Sequence, residues 1–259
     1  MIKFFRKIRQ NLLMENKTGK YFKYAVGEIV LVVIGILIAL SINNWNEGNK
    51  SITEELKILK QLHEEFVADS MNLYDFTRLV RKKAIYGKSL KNISDQNKTV
   101  SEDSIIFKSF QLGIPAFYDS HIPTYDEIVS SGKLGLIKSK AIKSRIRNYK
   151  QMLEFEKVII RSEAQLFKKE YNTHLYNYFE PEIMVYFFNR GDDILDSSIS
   201  LDSFRKDVSG FFKDPKTIKL IEYIIGVESK SEWSYKRRTM PRLARILDEL
   251  KKEIKNFDD

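Results

Sequence analysis

AVGEIVLVVIGILIALSI, residues 25–42, decides how the rest of the chain is read. Only Glu28 and Ser41 are polar in it, and the twelve residues from Ile29 to Leu40 carry no polar side chain. As a helix the stretch covers roughly 27 Å, close to the thickness of a bilayer hydrocarbon core. Ten of those twelve residues are Ile, Val or Leu. Each favours insertion by about 0.3–0.6 kcal/mol, which together outweighs one carboxylate near the end of the segment. A core helix with this composition would need protein on every side. Tyr24 and Trp45 stand where interfacial aromatics belong, and residues 24–45 read as a transmembrane helix.

The flanks orient it. The 259-residue chain has 44 Lys+Arg against 35 Asp+Glu, a formal charge of +9. Residues 1–23 hold seven bases (Lys3, Arg6, Lys7, Arg9, Lys17, Lys20, Lys23) against the single acid Glu15, which places +6 there and leaves +3 on everything else. A nearly balanced body does not grip phosphates along its length, so nucleic acid is excluded as a partner. The first twenty residues after Trp45 have only Lys50, Lys57 and Lys60, so the positive N-terminal side stays in the cytoplasm. The expected organisation is a basic cytoplasmic juxtamembrane segment over 1–23, the span over 24–45 and an extracytoplasmic domain over 46–259. In a double-membrane bacterium this is a single-pass inner-membrane protein with a periplasmic body. Ala39-Leu40-Ser41 loosely fits a signal-peptidase site, but an n-region of more than twenty residues favours an uncleaved anchor.

Ile2, Phe5, Ile8 and Leu12 share one helical face with Lys3, Arg6 and Lys7 opposite, the pattern of a helix lying on the inner leaflet. Within the span, Glu28 is an intramembrane carboxylate shallow enough to snorkel, and Gly35 with Ala39 forms a small-xxx-small pair able to bring two helices close. These three residues are the candidates for membrane function or self-association.

Beyond the span the periodicity is helical. Leu56, Leu59, Leu62, Phe66, Leu73, Phe76 and Val80 repeat on one face, while His63, Ser70 and Thr77 interrupt a strict heptad; this predicts a bundle face that the transmembrane helix enters directly. Residues 92–100 (NISDQNKTV) read as a polar loop, and Ser101 as the cap of the next helix. Thr124 and Glu127 have capping-box spacing for a short helix stopped at Gly132. Ser139 caps a helix of near forty residues running to about Phe179, with Ile142, Ile146, Tyr149, Leu153, Glu156, Ile160, Tyr171 and Leu175 on one side and Pro181 as its breaker. Residues 183–188 are apolar and undecided between strand and helix. Asp202 is read as the cap of a helix through Phe212. Asp214-Pro215 starts the last element, predicted to pass Pro241 with a kink and to bury Ile218, Ile221, Ile225, Trp233, Leu243, Ile246, Leu250 and Ile254. The expected fold is all-α: one N-terminal transmembrane helix followed by a bundle of about four to six helices, some long.

Chemistry is sparse. With no cysteine, thiol nucleophiles, disulfides and thiolate metal sites are absent. Phosphate-cradling loops, nucleophile elbows and HExxH helices are absent too, and no cofactor is expected. The best polar cluster is YDSHIPTYDE, residues 118–127, in which Asp119, His121, Asp126 and Glu127 offer oxygen and nitrogen donors for a divalent metal. The acids at the start of a short helix are already explained by its dipole, so the cluster is a weak candidate. Ser130 to Lys133 could form a hydrolytic dyad, but the same residues end a helix. His63 and His174 have no partners near them in sequence. Tyr171, Tyr176, Tyr178, Phe179, Tyr186, Phe187 and Phe188 read as core more readily than as a ligand pocket. The basic groups at 138–147 and 236–245 read as solvated helix surface.

The run GKYFKYAVGEIVLVVIGILIALSINNWNE, with MIKFFRKIRQNLLMENK before it, resembles the N-terminus of a bacterial family of single-pass proteins known only as a domain of unknown function. TYDEIVSSGKLGLIKS, residues 124–139, resembles that family's central segment. The resemblance implies an inner-membrane anchor with a helical extracytoplasmic domain and implies no activity. The expected function is a membrane-anchored periplasmic helical domain that binds a partner protein or ligand without catalysis, its other partners being the bilayer and a second copy through the span. A membrane-anchored hydrolase or metal-dependent enzyme using the Asp119–Glu127 region is the competing expectation.

Overall fold

The computed structural model describes residues 18–96, 100–183 and 205–257. Among these, α1 runs over Thr18–Gln96, α2 over Glu102–Gly113, α3 over Pro123–Ser130, α4 over Lys140–Leu175, α5 over Val208–Lys213, α6 over Pro215–Ser234 and α7 over Met240–Lys255. A 3-10 turn, Lys133–Leu136, follows α3, and a π-helical turn, Tyr235–Thr239, joins α6 to α7. No strand occurs among the described residues; Phe179 and Arg205 make one isolated antiparallel bridge. The all-α expectation holds, with six helices after the long first one among the described residues.

Two compact units divide the chain, Met1–Lys57 and Ile58–Asp259. In the first, no residue from Ala25 to Ile42 is buried. The large apolar side chains between Ile29 and Leu40 are 47–64% exposed and point to every side of α1. A core helix hides at least one stripe; this segment hides none. Ser41 donates its hydroxyl to the Leu37 carbonyl at 2.8 Å, so that polar group is satisfied inside the helix. Glu28 is half-buried, Ala39 exposed, and a Cβ added at Gly35 would touch nothing. The surface helix expected at Ile2–Leu12 lies outside the described residues.

The second unit has two apolar clusters, and both α1 and α4 contribute to each. Leu59, Leu62, Phe66 and Leu73 of α1 pack with Ile142, Ile146 and Tyr149 of α4 and Leu243, Ile246 and Leu250 of α7. Leu90 of α1 packs with Ile106 and Phe110 of α2, Tyr171 and Leu175 of α4, Phe211 of α5 and Ile221 and Ile224 of α6. The heptad interruptions are absorbed locally: Ser70 and Thr77 turn their hydroxyls onto the Val67 and Leu73 carbonyls of their own helix. At Gly87 an added Cβ would lie 2.5 Å from Ile225 Cγ1, so the missing side chain is what lets α1 approach α6.

Several boundaries differ from expectation. The polar segment at 92–96 is helical, because Ile93 packs on the second cluster and carries α1 to Gln96. Ser101 and Ser139 cap as expected, accepting from the amides of Ser104 and Ile142. For α3 the capping box fails: Pro123 is at the first turn, and Thr124 gives both its amide and its hydroxyl to Glu65 of α1, the hydroxyl at 2.6 Å. A tertiary carboxylate has replaced the local cap. Gly132, at φ +72°, then ends the turn in the left-handed region that favours glycine. The α4 helix ends at Leu175, short of Phe179, where Tyr176 to Phe179 turn back to close the second cluster. The cap of α5 is Asp207, whose carboxylate accepts from Gly210 N at 2.7 Å, and not Asp202, which lies outside the described residues, as do residues 184–188. Trp233 is 58% exposed, and Ile218 and Ile225 are only half-buried. The buried face of α6 is turned onto Thr217, Leu220, Ile221, Ile224, Glu228 and Ser231. At Pro241 the helix widens into the preceding π turn, since proline has no N–H to bond back into it.

The Glu65 cap predicts a stability effect. Glu65→Ala strands the Thr124 amide and hydroxyl and should cost about 1–2 kcal/mol. A lower urea midpoint at unchanged m checks this; an unchanged midpoint would mean that water replaces Glu65 at no cost.

Candidate functional site

Charged and polar residues that fall on the apolar stripes of the helices meet inside the second unit in four places. The first is a lock. Asp69, 3% exposed on α1, accepts the Tyr118 hydroxyl at 2.6 Å on Oδ1 and the Tyr149 hydroxyl at 2.6 Å on Oδ2. Burial, with the Asp69 carboxylate beside them, pushes both phenols well above the ordinary tyrosine range. They keep their protons and serve as donors to Asp69.

The second place joins three helices to a loop. Lys83 of α1, Lys168 of α4 and Glu228 of α6 are all under 5% exposed. Lys168 donates to Glu228 Oε1 at 2.6 Å and to the Ile114 carbonyl at 2.8 Å, and Lys83 donates to that same carbonyl. Ile114 is the residue on which α2 ends, so the two ammonium groups cap that helix's carbonyl end. Two cations share one anion. Burial first, and then the Lys168 charge, lower the Lys83 ammonium to about 7, with Glu228 opposing. A neutral amine is chemically a nucleophile, but Lys83 lines none of the clefts described below, and a reagent cannot reach it in this packing.

The third place is an open cleft of about 390 Å³ lined by Leu166, Lys169, Glu170, Thr173, His174, Asn177 and Lys216. His174 is buried at its wall; burial lowers its imidazole below the ordinary value, against the pull of Asp214. Its Nε2 lies 2.7 Å from Thr217 Oγ1 and 3.7 Å from Asp214 Oδ2, while Tyr178 donates to Asp214 at 2.9 Å. A nucleophilic triad needs the hydroxyl on one ring nitrogen and the carboxylate on the other. Here both approach Nε2, and Thr217 is fully buried. The group ties α4 to the N-terminus of α6, where Asp214 accepts from Lys216 N at 2.8 Å.

The fourth place is a smaller cleft of about 110 Å³ where α4 meets the end of α6 and the π turn. Glu156, 5% exposed, accepts the Ser234 hydroxyl at 2.5 Å on one oxygen and the Thr239 hydroxyl at 3.1 Å on the other. Phe155, Ile159 and Val227 form the apolar part of the lining, and Lys230, Ser231 and Arg238 the polar part. In this group a buried carboxylate stands in a cleft that the exposed cations Lys230 and Arg238 also line.

The residues singled out from the sequence are placed otherwise. Asp119 pairs with Lys157 at 3.0 Å and Asp126 pairs with Lys150, while His121 and Glu127 are exposed. No group of three or more His, Asp or Glu side chains among the described residues is placed to hold a metal ion. Ser130 gives its hydroxyl to the Glu127 carbonyl at 3.0 Å, a bond within its own helix. Tyr171 and Phe179 are fully buried around Phe211, and Tyr176 and Tyr178 flank them. His63 is half-buried. Of the basic groups, Arg145 pairs with Glu249 at 3.4 Å and Lys236 with Glu232 at 2.6 Å. What reading the sequence missed was the buried charges, although Glu156 stood on the predicted stripe of α4.

No curated protein and no solved structure matches the chain. Residues 28–179, more than half of the chain, match the model of DUF6090, a family of unknown function. The match begins inside the apolar span and ends at Phe179, taking in most of α1 and all of α2, α3 and α4, and the chain belongs to this family.

Proposed function

We propose that this protein is a single-pass inner-membrane protein with a short basic cytoplasmic segment and a periplasmic helical body that binds a partner protein or small ligand without catalysing a reaction. One observation carries the reading: Ile29 to Leu40 are exposed around the whole circumference of α1, where a water-soluble protein would bury a stripe. The +6 charge of residues 1–23 supports a cytoplasmic N-terminus. The non-catalytic part is supported by the way the buried polar groups at Asp69, Lys168 and His174 engage one another in hydrogen bonds that hold helices together.

Reporter fusions after Asp259 test the topology. An alkaline phosphatase fusion should be active and a fluorescent protein exported by the same route dark; the reverse pattern overturns the orientation. The full-length mass in carbonate-washed membranes should include residues 1–41, and loss of that segment would make it a cleaved signal. Crosslinking in native membranes should capture a partner of the body, and the binding reading fails if neither a partner nor a ligand is found.

A further inference from the structure

We propose that the cleft at Glu156 binds a small zwitterion of the aliphatic α-amino-acid class. The inference deepens the ligand half of the function proposed above and rests on it.

Glu156 is a buried carboxylate whose hydrogen-bond partners among the described residues are the hydroxyls of Ser234 and Thr239. Hydroxyl donors orient a carboxylate but bring it no positive charge, and a buried charge with no counter-ion in direct contact is costly. Two opposite charges stand nearby, Lys230, which has contacts of its own, and Arg238. Arg238 lines the same cleft, is exposed, and has no acidic partner among the described residues. Glu156 and Arg238 do not form an ion pair, so an acid and a base face one space without meeting across it. A ligand with an ammonium group for Glu156 and a carboxylate for the Arg238 fork satisfies both.

Size and walls narrow the class. About 110 Å³ is well below the roughly 300–1,000 Å³ that holds a drug-sized molecule. Phe155, Ile159 and Val227 supply an apolar wall, which favours an aliphatic side chain over a polar one. The π turn beside the cleft, Tyr235–Thr239, carries Arg238 and Thr239, so the turn that accommodates Pro241 also supplies groups of the site. Such turns recur at functional sites.

The test is calorimetric titration of the full chain in detergent micelles. L-Leucine should bind saturably. Two leucine analogues, 3-methylbutylamine without the carboxylate and 4-methylpentanoate without the ammonium, should each bind about tenfold more weakly or worse. E156Q and R238Q should each weaken leucine by a similar factor with unchanged helicity by circular dichroism; if E156Q perturbs the fold, R238Q at its exposed position decides. No saturation by roughly 10 mM leucine, an amine that binds as tightly as leucine, or an R238Q protein that binds normally overturns the proposal. Tighter binding of glycerophosphoethanolamine, which carries the same charge pair, would assign the cleft to a lipid headgroup and overturn the amino-acid class. A crosslinked protein partner without leucine binding would sink this inference and leave the wider binding function standing.

Discussion

Glu228→Ala should lower the unfolding free energy of the body by about 3–5 kcal/mol, the usual cost of removing one partner from a buried ion pair. Glu228 is 4% exposed and is the acid that Lys168 reaches, at 2.6 Å; without it Lys168 and Lys83 are left facing one neutral carbonyl, that of Ile114. Neither ammonium can turn to water without opening α1 from α4 and α6. The urea midpoint should therefore fall with m unchanged, since the surface exposed on unfolding is the same. Lys168→Met in the same chain should recover most of the loss, because deleting both members of a buried pair is far cheaper than deleting one. The double-mutant cycle measures that coupling directly. A loss below about 1 kcal/mol would mean that the pair is solvated and does not join the helices.

The helices were legible because their apolar residues recur at helical spacing over long stretches. Leu59, Leu62, Phe66 and Leu73 are buried as the periodicity of α1 requires, as are Ile142, Ile146, Tyr149 and Leu153 of α4. The caps that failed did so where a distant group outbid a near one. Thr124 and Glu127 have the spacing of a capping box, yet Thr124 is held by Glu65, 59 residues away, and nothing in local spacing announces that partner. On α6 the predicted stripe was rotated: Ile218, Ile225 and Trp233 were expected inside, while Thr217, Glu228 and Ser231 are there. A hydrophobic count favours Trp233 over Glu228; only the presence of Lys168 opposite makes the acid the better occupant.

The buried charges follow a rule that could have found them. Asp69 is three residues beyond Phe66 and four before Leu73; Glu156 is three beyond Leu153; Lys168 is three before Tyr171; Glu228 is four beyond Ile224. Each is a charge at the period of an apolar stripe, which is expensive unless a partner waits across the interface. Such positions mark which helices must meet, and here Lys83, Lys168 and Glu228 name α1, α4 and α6. The rule does not supply chemistry. For Asp69 the partners are two tyrosines and the group is closed, whereas for Glu156 the hydroxyls leave a charge facing a cleft. The difference between a lock and a binding site lies in what stands opposite, and one strand of sequence does not show it.

Raising the pH from 7 to about 10.5 should stabilise the wild-type body relative to Lys83→Met by up to about 5 kcal/mol. An exposed lysine in the unfolded chain titrates near 10.5, whereas in the folded protein burial and the neighbouring Lys168 bring Lys83 to about 7. Between those values the unfolded chain holds a proton that the native one has released, so stability rises with pH across the window. Below pH 7 both forms are protonated and the full penalty of a second buried ammonium is in place. Above pH 10.5 both are neutral and the penalty is gone. Methionine matches the length of the lysine stem and carries no charge, and the Ile114 carbonyl keeps Lys168 as its donor at 2.8 Å, so the variant should fold. Its urea midpoint should lack the part of the pH slope that Lys83 supplies, other groups contributing equally to both proteins. At pH 7 the variant should be at least as stable as the wild type, an unusual result for deleting a buried side chain. Parallel slopes for the two proteins would mean that Lys83 keeps its proton when folded, with Glu228 compensating both lysines at once.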